Sequence, residues 1–323
     1  MTLTSESWLT SLVETDGIIR HLSDKGSIVK FCIVENVDDH RSLYENLLKV
    51  HQTHLLNMVT VNSGLADVST PENIVKQISA GFDIGRLLDN FMKLVWRVAG
   101  YPNNELKSAY ALASDMSLDS VEILTSARIA VQRLMGELAE SPHVPAFSRD
   151  FRNGIKSLCT RTIMEGASSP TCAQLVAGFN MWLSGTAPAH LLKMLKIQWK
   201  LKRTNATQIL RSILALPAAT GVRGSILHLD FRSVTNPEMD SATSMVNYTK
   251  NKRTATYQWL REIIDQTYMF DSTLIIVEAG PAFLDQSTTG PGIGRYDALR
   301  FRITDDVVVG EDNPSAVITR IAG

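Results

Sequence analysis

The sequence predicts an α/β fold, a parallel sheet flanked by helices with a helical insertion. Three observations carry this. First, SIVKFCIV (Ser27–Val34), GSILHLD (Gly224–Asp230) and TLIIVE (Thr273–Glu278) are nearly unbroken apolar runs, as in strands buried on both faces. Second, a helical pattern over Asp39–Gln52 and a further apolar run, Leu55–Val61, follow the first strand, which makes a βαβ unit. Third, only helical patterns occur from Asn103 to about Met164.

Taken in order, Ser5–His21 places Trp8, Leu9, Leu12, Val13, Ile18 and Ile19 at the spacing of a short amphipathic helix. Thr70 and Pro71 are N-cap and first residue of a helix running to about Val98, with Gly81 and Gly85 as candidate interruptions. Leu118–Ala139, Thr171–Leu183, Pro188–Leu201 and Ala206–Leu216 are further helices. After the third strand comes a long helix over Ala242–Tyr268. The fourth strand leads to GPAFLDQSTTGPGIG, a loop with room for one helical turn, whose stretch TTGPGIGR is read as a flexible connector rather than a phosphate cradle, then to a short helix at Arg295–Ile303. The expected division is 1–102 for the first part of the core, 103–220 for a helical insertion or subdomain, and 221–323 for the rest of the core.

A chain of 323 residues, 44% hydrophobic and 20% charged, has ordinary globular composition and can build a core. A formal net charge of -1 argues against a protein that coats nucleic acid along its whole surface. Cys32, Cys159 and Cys172 are odd in number and widely spaced, so neither a disulfide framework nor a zinc knuckle is expected. The start of the chain does not read as a signal peptide, and no apolar run is long enough to span a membrane. The expected setting is the cytoplasm.

The junction after the first strand has the frame of a phosphate-binding loop without its chemistry. Such a loop needs glycines for close backbone approach, a lysine for the outer phosphates and a hydroxyl for Mg²⁺. Here the turn holds Glu35, Asp38 and Asp39, with no glycine and no lysine. The third strand ends in Asp230, where a Mg²⁺-holding acid would stand, but Phe231 and Arg232 follow instead of a catalytic acid. The alternative for Asp230 is a cap on the next turn. Glu278, ending the fourth strand, is either a second carboxylate of the site or a strand-end partner for an arginine. Arg295, Arg300 and Arg302 are candidate phosphoryl-charge stabilisers or a solvated helix face.

The most one-sided charge pattern lies elsewhere. No Asp or Glu occurs from Gly166 to Leu229, a window holding Lys193, Lys196, Lys200, Lys202, Arg203, Arg211 and Arg223. Lys193, Lys196 and Lys200 are expected on one helical face beside Trp199, a candidate contact for DNA or an acidic partner. TKNKR (Thr249–Arg253) adds a second basic cluster. The seven histidines show no metal spacing, and no metal site is expected.

IVKFCIV with its turn and helix, LLNMVTVN, CAQLVAGFNMWLSG, ILHLDF, TLIIVEAGPAFLD and YDALRFRI occur in that order. Together they resemble the P-loop ATP-binding proteins of bacterial BREX-type phage-defence loci, a branch related to the AAA+ ATPases. The similarity spans most of the chain, and FNMWLSG and YDALRFRI are its most specific pieces. It implies a P-loop NTPase-like (AAA+/RecA-like) fold. By this resemblance Glu35–Leu43 stands at the Walker A loop, and Asp230 at the Walker B acid with Phe231 replacing the expected Glu. Glu278 ends the sensor strand, and Arg300 and Arg302 match an arginine-bearing segment.

The resulting expectation is a degenerate form lacking Walker A, a pseudo-ATPase that acts as scaffold or regulator in an anti-phage complex. Asp230, Glu278, Arg300 and Arg302 are then vestigial or act in trans. No cofactor is expected, except ATP and Mg²⁺ if a partner subunit completes the site. Expected partners are other defence proteins, including an active ATPase homologue, and DNA through the basic stripe, in a homo- or hetero-oligomer away from membranes. The alternatives are a divergent active ATPase completed by a partner, and a sequence-independent DNA-binding module.

Overall fold

The computed structural model describes residues 3–15, 17–104, 106–139, 147–235, 246–304 and 317–321. The five strands are β1 (Ser27–Val34), β2 (Leu56–Asn62), β3 (Gly224–Asp230), β4 (Thr273–Ala279) and β5 (Ile318–Ile321). They form one sheet in the order β2-β3-β4-β1-β5, and every neighbouring pair is parallel. The α/β expectation holds, and the arrangement is consistent with a P-loop NTPase-like fold. All seven residues of β3 and of β4 are buried, which explains why these strands read as continuous apolar runs. The four-residue β5, at the sheet edge, was not anticipated.

Contacts divide the chain into two compact units, residues 1–78 with 222–323, and residues 79–221. The first unit holds the sheet. Helices α1 (Ser5–Thr10), α2 (Ile18–Ser23) and α3 (Val37–His54), with Leu12 from the turn between the first two, supply Trp8, Leu9, Leu12, Ile18, Leu22, Leu43 and Leu47 to a core shared with Cys32, Ile226 and Ile276. The predicted single helix over Ser5–His21 is broken by a π-helical turn at Ser11–Thr15 and by Gly17, whose φ of 61° suits a residue without Cβ.

Helix α4 (Pro71–Gly81) ends at the first of the two candidate interruptions, whereas Gly85 lies inside the next helix. Asp83, not glycine, starts α5 (Ile84–Val98) by accepting from the Arg86 amide at 2.9 Å.

The remaining helices of the second unit are α6 (Ala109–Met116), α7 (Ser120–Ala139), α8 (Arg149–Glu165), α9 (Pro170–Leu183), α10 (Ala189–Met194) and α11 (Arg203–Ala215). Phe151, Phe179 and Trp182 pack as an aromatic cluster between α8 and α9. Gly154 permits the close approach, because a Cβ there would lie 2.4 Å from the Phe179 ring.

One helix is shorter than its apolar spacing predicts. The pattern over Pro188–Leu201 continues, but α10 stops at Met194, and Lys196 turns the chain at φ 57°. The cause is tertiary. The Asp150 carboxylate accepts from the amides of Gln198 and Trp199, each at 3.0 Å, and the Trp182 indole donates to the Trp199 carbonyl at 2.9 Å. Ser157 and Asn153 bond the carbonyls of Leu195 and Lys196. These bonds hold 196–201 as a connection, so Lys193, Lys196 and Lys200 do not share one helical face.

Back in the first unit, α12 (Arg232–Thr235) follows β3, and α13 (Lys250–Asp265) precedes β4. The predicted Ala242–Tyr268 helix is shorter than expected: 242–245 lie outside the described residues, 246–249 are not helical, Thr249 caps the helix, and it ends at Asp265. The last helix is α14 (Asp297–Thr304). The glycine-rich loop before it folds back on itself: a Cβ on Gly294 would lie 2.1 Å from the Gln286 backbone. No helix among the described residues is long and apolar enough to cross a membrane. The three cysteines are buried and free.

Candidate functional site

Parallel α/β sheets place ligands beyond the carboxyl ends of their strands. At that end the register aligns Asn62, Asp230, Glu278 and Cys32 across β2, β3, β4 and β1. Register partners in a parallel pair project to the same face, so Asp230 and Glu278 are brought together as anticipated. What lies between them is Arg232.

Its guanidinium grips Asp230 with two parallel bonds, Nε to Oδ1 at 2.9 Å and Nη2 to Oδ2 at 2.8 Å, the strong forked arrangement. The same Nε stands 3.3 Å from Glu278 Oε1. Asp230 also accepts from the Arg232 amide at 3.2 Å, which caps the turn into α12, and from Asn62 Nδ2 at 3.2 Å. The capping alternative for Asp230 and the arginine-partner alternative for Glu278 therefore both describe the geometry.

Glu278 is completely buried and accepts from two histidines as well. His40 Nδ1, from the first turns of α3, lies 2.8 and 2.9 Å from its two oxygens, and His228 Nε2, on β3, lies 2.9 Å from Oε2. Burial alone would raise the Glu278 pKa. The hydrogen bonds and charge of His228 and His40 outweigh it and hold the carboxyl well below the usual range. Tyr44, one turn beyond His40, stacks on that ring and lies tilted against His228. Asp230 is 1%, Arg232 2% and His228 0% exposed, so this is an internal network.

The turn that would cradle phosphate is only Glu35 and Asn36. Asn36 is the N-cap of α3 and accepts from the Asp39 amide at 2.9 Å. In return, the Asp39 carboxylate accepts from the Glu35 amide at 3.2 Å. This resembles a capping box displaced by one residue. Asp39 is 1% exposed, so the helix end that attracts an anion carries the chain's own.

The arginine-bearing segment is engaged elsewhere. Arg300 pairs with Asp297 at 2.9 Å within α14, and Arg302 reaches Asp265 of α13 at 2.7 Å. Arg295 bonds the Thr289 carbonyl inside the glycine-rich loop. In the basic window, Lys193, Lys196, Lys200, Lys202 and Arg203 are exposed, while Arg211 is half-buried. Among the described residues no cluster could hold a metal ion.

His40, His228 and Asn62 were not picked out from the sequence. A detectable signal existed for His228, a polar residue inside an otherwise apolar strand, where a buried ring needs a partner.

The comparisons with known proteins decide the family. Residues 129–323 match the family model described as BREX system ATP-binding protein BrxC/D. The chain belongs to that family. The matched stretch contains Asp230, Glu278, Arg300 and Arg302, and it begins well after the β1–α3 turn. The similarity found is thus confined to the later part of the chain, less than the resemblance in the sequence covered. No curated protein and no solved structure matches. Family membership makes this BrxC/D relative a component of a BREX phage-defence system.

Proposed function

We propose that this family member has lost nucleotide chemistry and serves its defence complex as a scaffold or regulatory subunit. One observation carries the reading: the Asp39 carboxylate, bonded to the Glu35 amide, occupies the α3 N-terminus where a phosphate would bind. A polyphosphate approaching that end would meet a buried anion, and no glycine lets the backbone open toward it. The neighbouring acids support the same reading. Asp230 and Glu278 are spent on Arg232, His40 and His228, so neither is presented to Mg²⁺. The retained sheet then positions surfaces for other defence proteins.

The test is titration of the purified chain with a fluorescent ATP analogue, with and without Mg²⁺. The expected result is no saturable binding below millimolar concentration. Micromolar, Mg²⁺-dependent binding would overturn the proposal.

A further inference from the structure

A cavity of about 420 Å³ opens in the second unit, lined by residues that include Arg149, Trp199, Lys202, Thr204, Asn205 and Gln208. Trp199 is 63% exposed, whereas Trp8, Trp96, Trp182 and Trp259 are at most 3% exposed. Trp199 is held firmly: its amide donates to Asp150 and its carbonyl accepts from Trp182. The ring is therefore offered from a fixed backbone, which lowers the entropy lost on binding.

The cavity's charge is one-sided. Arg149 and Lys202 line it, and Lys200 and Arg203 flank Lys202 in sequence, all exposed. Its lining acid, Asp150, is only 6% exposed and spends both oxygens on backbone amides. The 13-residue α11 opens here with Lys202 as N-cap; the Asn205 Oδ1 accepts from the Lys202 amide at 2.8 Å, and the first turn carries no acid. That end adds partial positive charge.

A flat aromatic face beside exposed cations matches the chemistry of a base with its phosphate. We propose that this cavity binds nucleotide units of a single-stranded nucleic acid, with a base stacked on Trp199 and phosphates on Arg149 and Lys202. A polymer is favoured over a free nucleotide because the cations extend past the cavity to Lys200 and Arg203. It is favoured over a duplex because paired bases do not expose a face to stack. The inference does not depend on whether the strand-end site has lost ATP.

Trp199 allows a direct test, since it is the tryptophan that iodide can reach among the five. A 15-nucleotide oligo-dT should quench its emission and shield it from iodide. Trp199→Ala should weaken binding roughly tenfold or more while leaving the melting temperature unchanged, and Trp199→Phe should restore part of the loss. Arg149→Gln and Lys202→Gln should each lower the slope of log affinity against log salt by about 1. Equal binding by Trp199→Ala and wild type would overturn the proposal. So would duplex of the same length binding as tightly as the single strand, or dTMP or ATP alone shielding Trp199 at the same concentration.

Discussion

The N-terminus of α3 and the N-terminus of α11 pose the same physical problem and answer it in opposite ways. Each presents unsatisfied backbone amides and partial positive charge. At α3 the chain supplies its own anion, Asp39, and buries it. Beside it, the ends of β3 and β4 are closed by Arg232, His40 and His228 around two carboxylates. At α11 the Lys202 amide is met by a neutral side chain, Asn205 Oδ1 at 2.8 Å, and the surroundings are cations, a polar wall and an exposed indole. The helix end expected to bind nucleotide thus carries its own acid, and the one in the helical unit carries none. A strand-end location marks a functional site only when its polar groups are left something to bind.

The sharpest way to break this contrast is to remove the keystone of the closed site. Glu278→Ala strands Arg232, His40 and His228 without a shared acceptor, and truncating a buried ion network costs about 3–5 kcal/mol. Chemical denaturation should show the loss as a lower midpoint at unchanged slope. Glu278→Gln, which keeps an acceptor oxygen, should lose less. A Glu278→Ala chain as stable as wild type would mean the network does not hold the strand ends together.

Next in size is acid sensitivity. Glu278 titrates lower in the folded chain than in the unfolded one, from 4.5 to about 2. Its contribution is therefore complete above about pH 4.5 and is lost as pH falls from there toward 2. The melting temperature should drop across that window, more steeply in wild type than in Glu278→Gln. At the open site the expectation is reversed: Trp199→Ala should change ligand binding and leave stability alone.

The two regions also differ in how far sequence reveals them. Strands β1, β3 and β4 were legible because burial on both faces leaves only apolar runs. The edge strand β5, four residues long with Arg320 exposed, leaves no such trace. The acids at the strand ends could be placed, since strand order sets register. Their true partner Arg232 was in view as the residue displacing a catalytic acid, but a linear pattern does not show which way its side chain turns. Trp199 and its basic neighbours were in view, but on a helix that stops short of them. Apolar residues Leu191, Leu192 and Leu195 continue a helical rhythm, and bonds from Asp150, Asn153, Ser157 and Trp182, all earlier in the chain, break it. Local propensity has no access to such a bond.

The smallest effect tests the self-supplied anion itself. Asp39→Ala removes the carboxylate that accepts the Glu35 amide, leaving that donor without its partner while the Asn36 cap on α3 stays in place. Loss of a hydrogen bond of this kind costs about 1 kcal/mol. Asp39→Asn, which keeps an acceptor but not the charge, should cost less, and the gap between the two variants measures the geometric part. If the buried acid is what keeps phosphate away, Asp39→Asn should also let inorganic phosphate raise the melting temperature slightly where wild type shows no response. The gain should vanish in moderate salt, because without glycines the turn cannot wrap the ion and only the helix dipole attracts it. A wild-type chain stabilised by phosphate as much as the variant would show that Asp39 does not close the site, and the contrast between the two helix ends would fail at its first term.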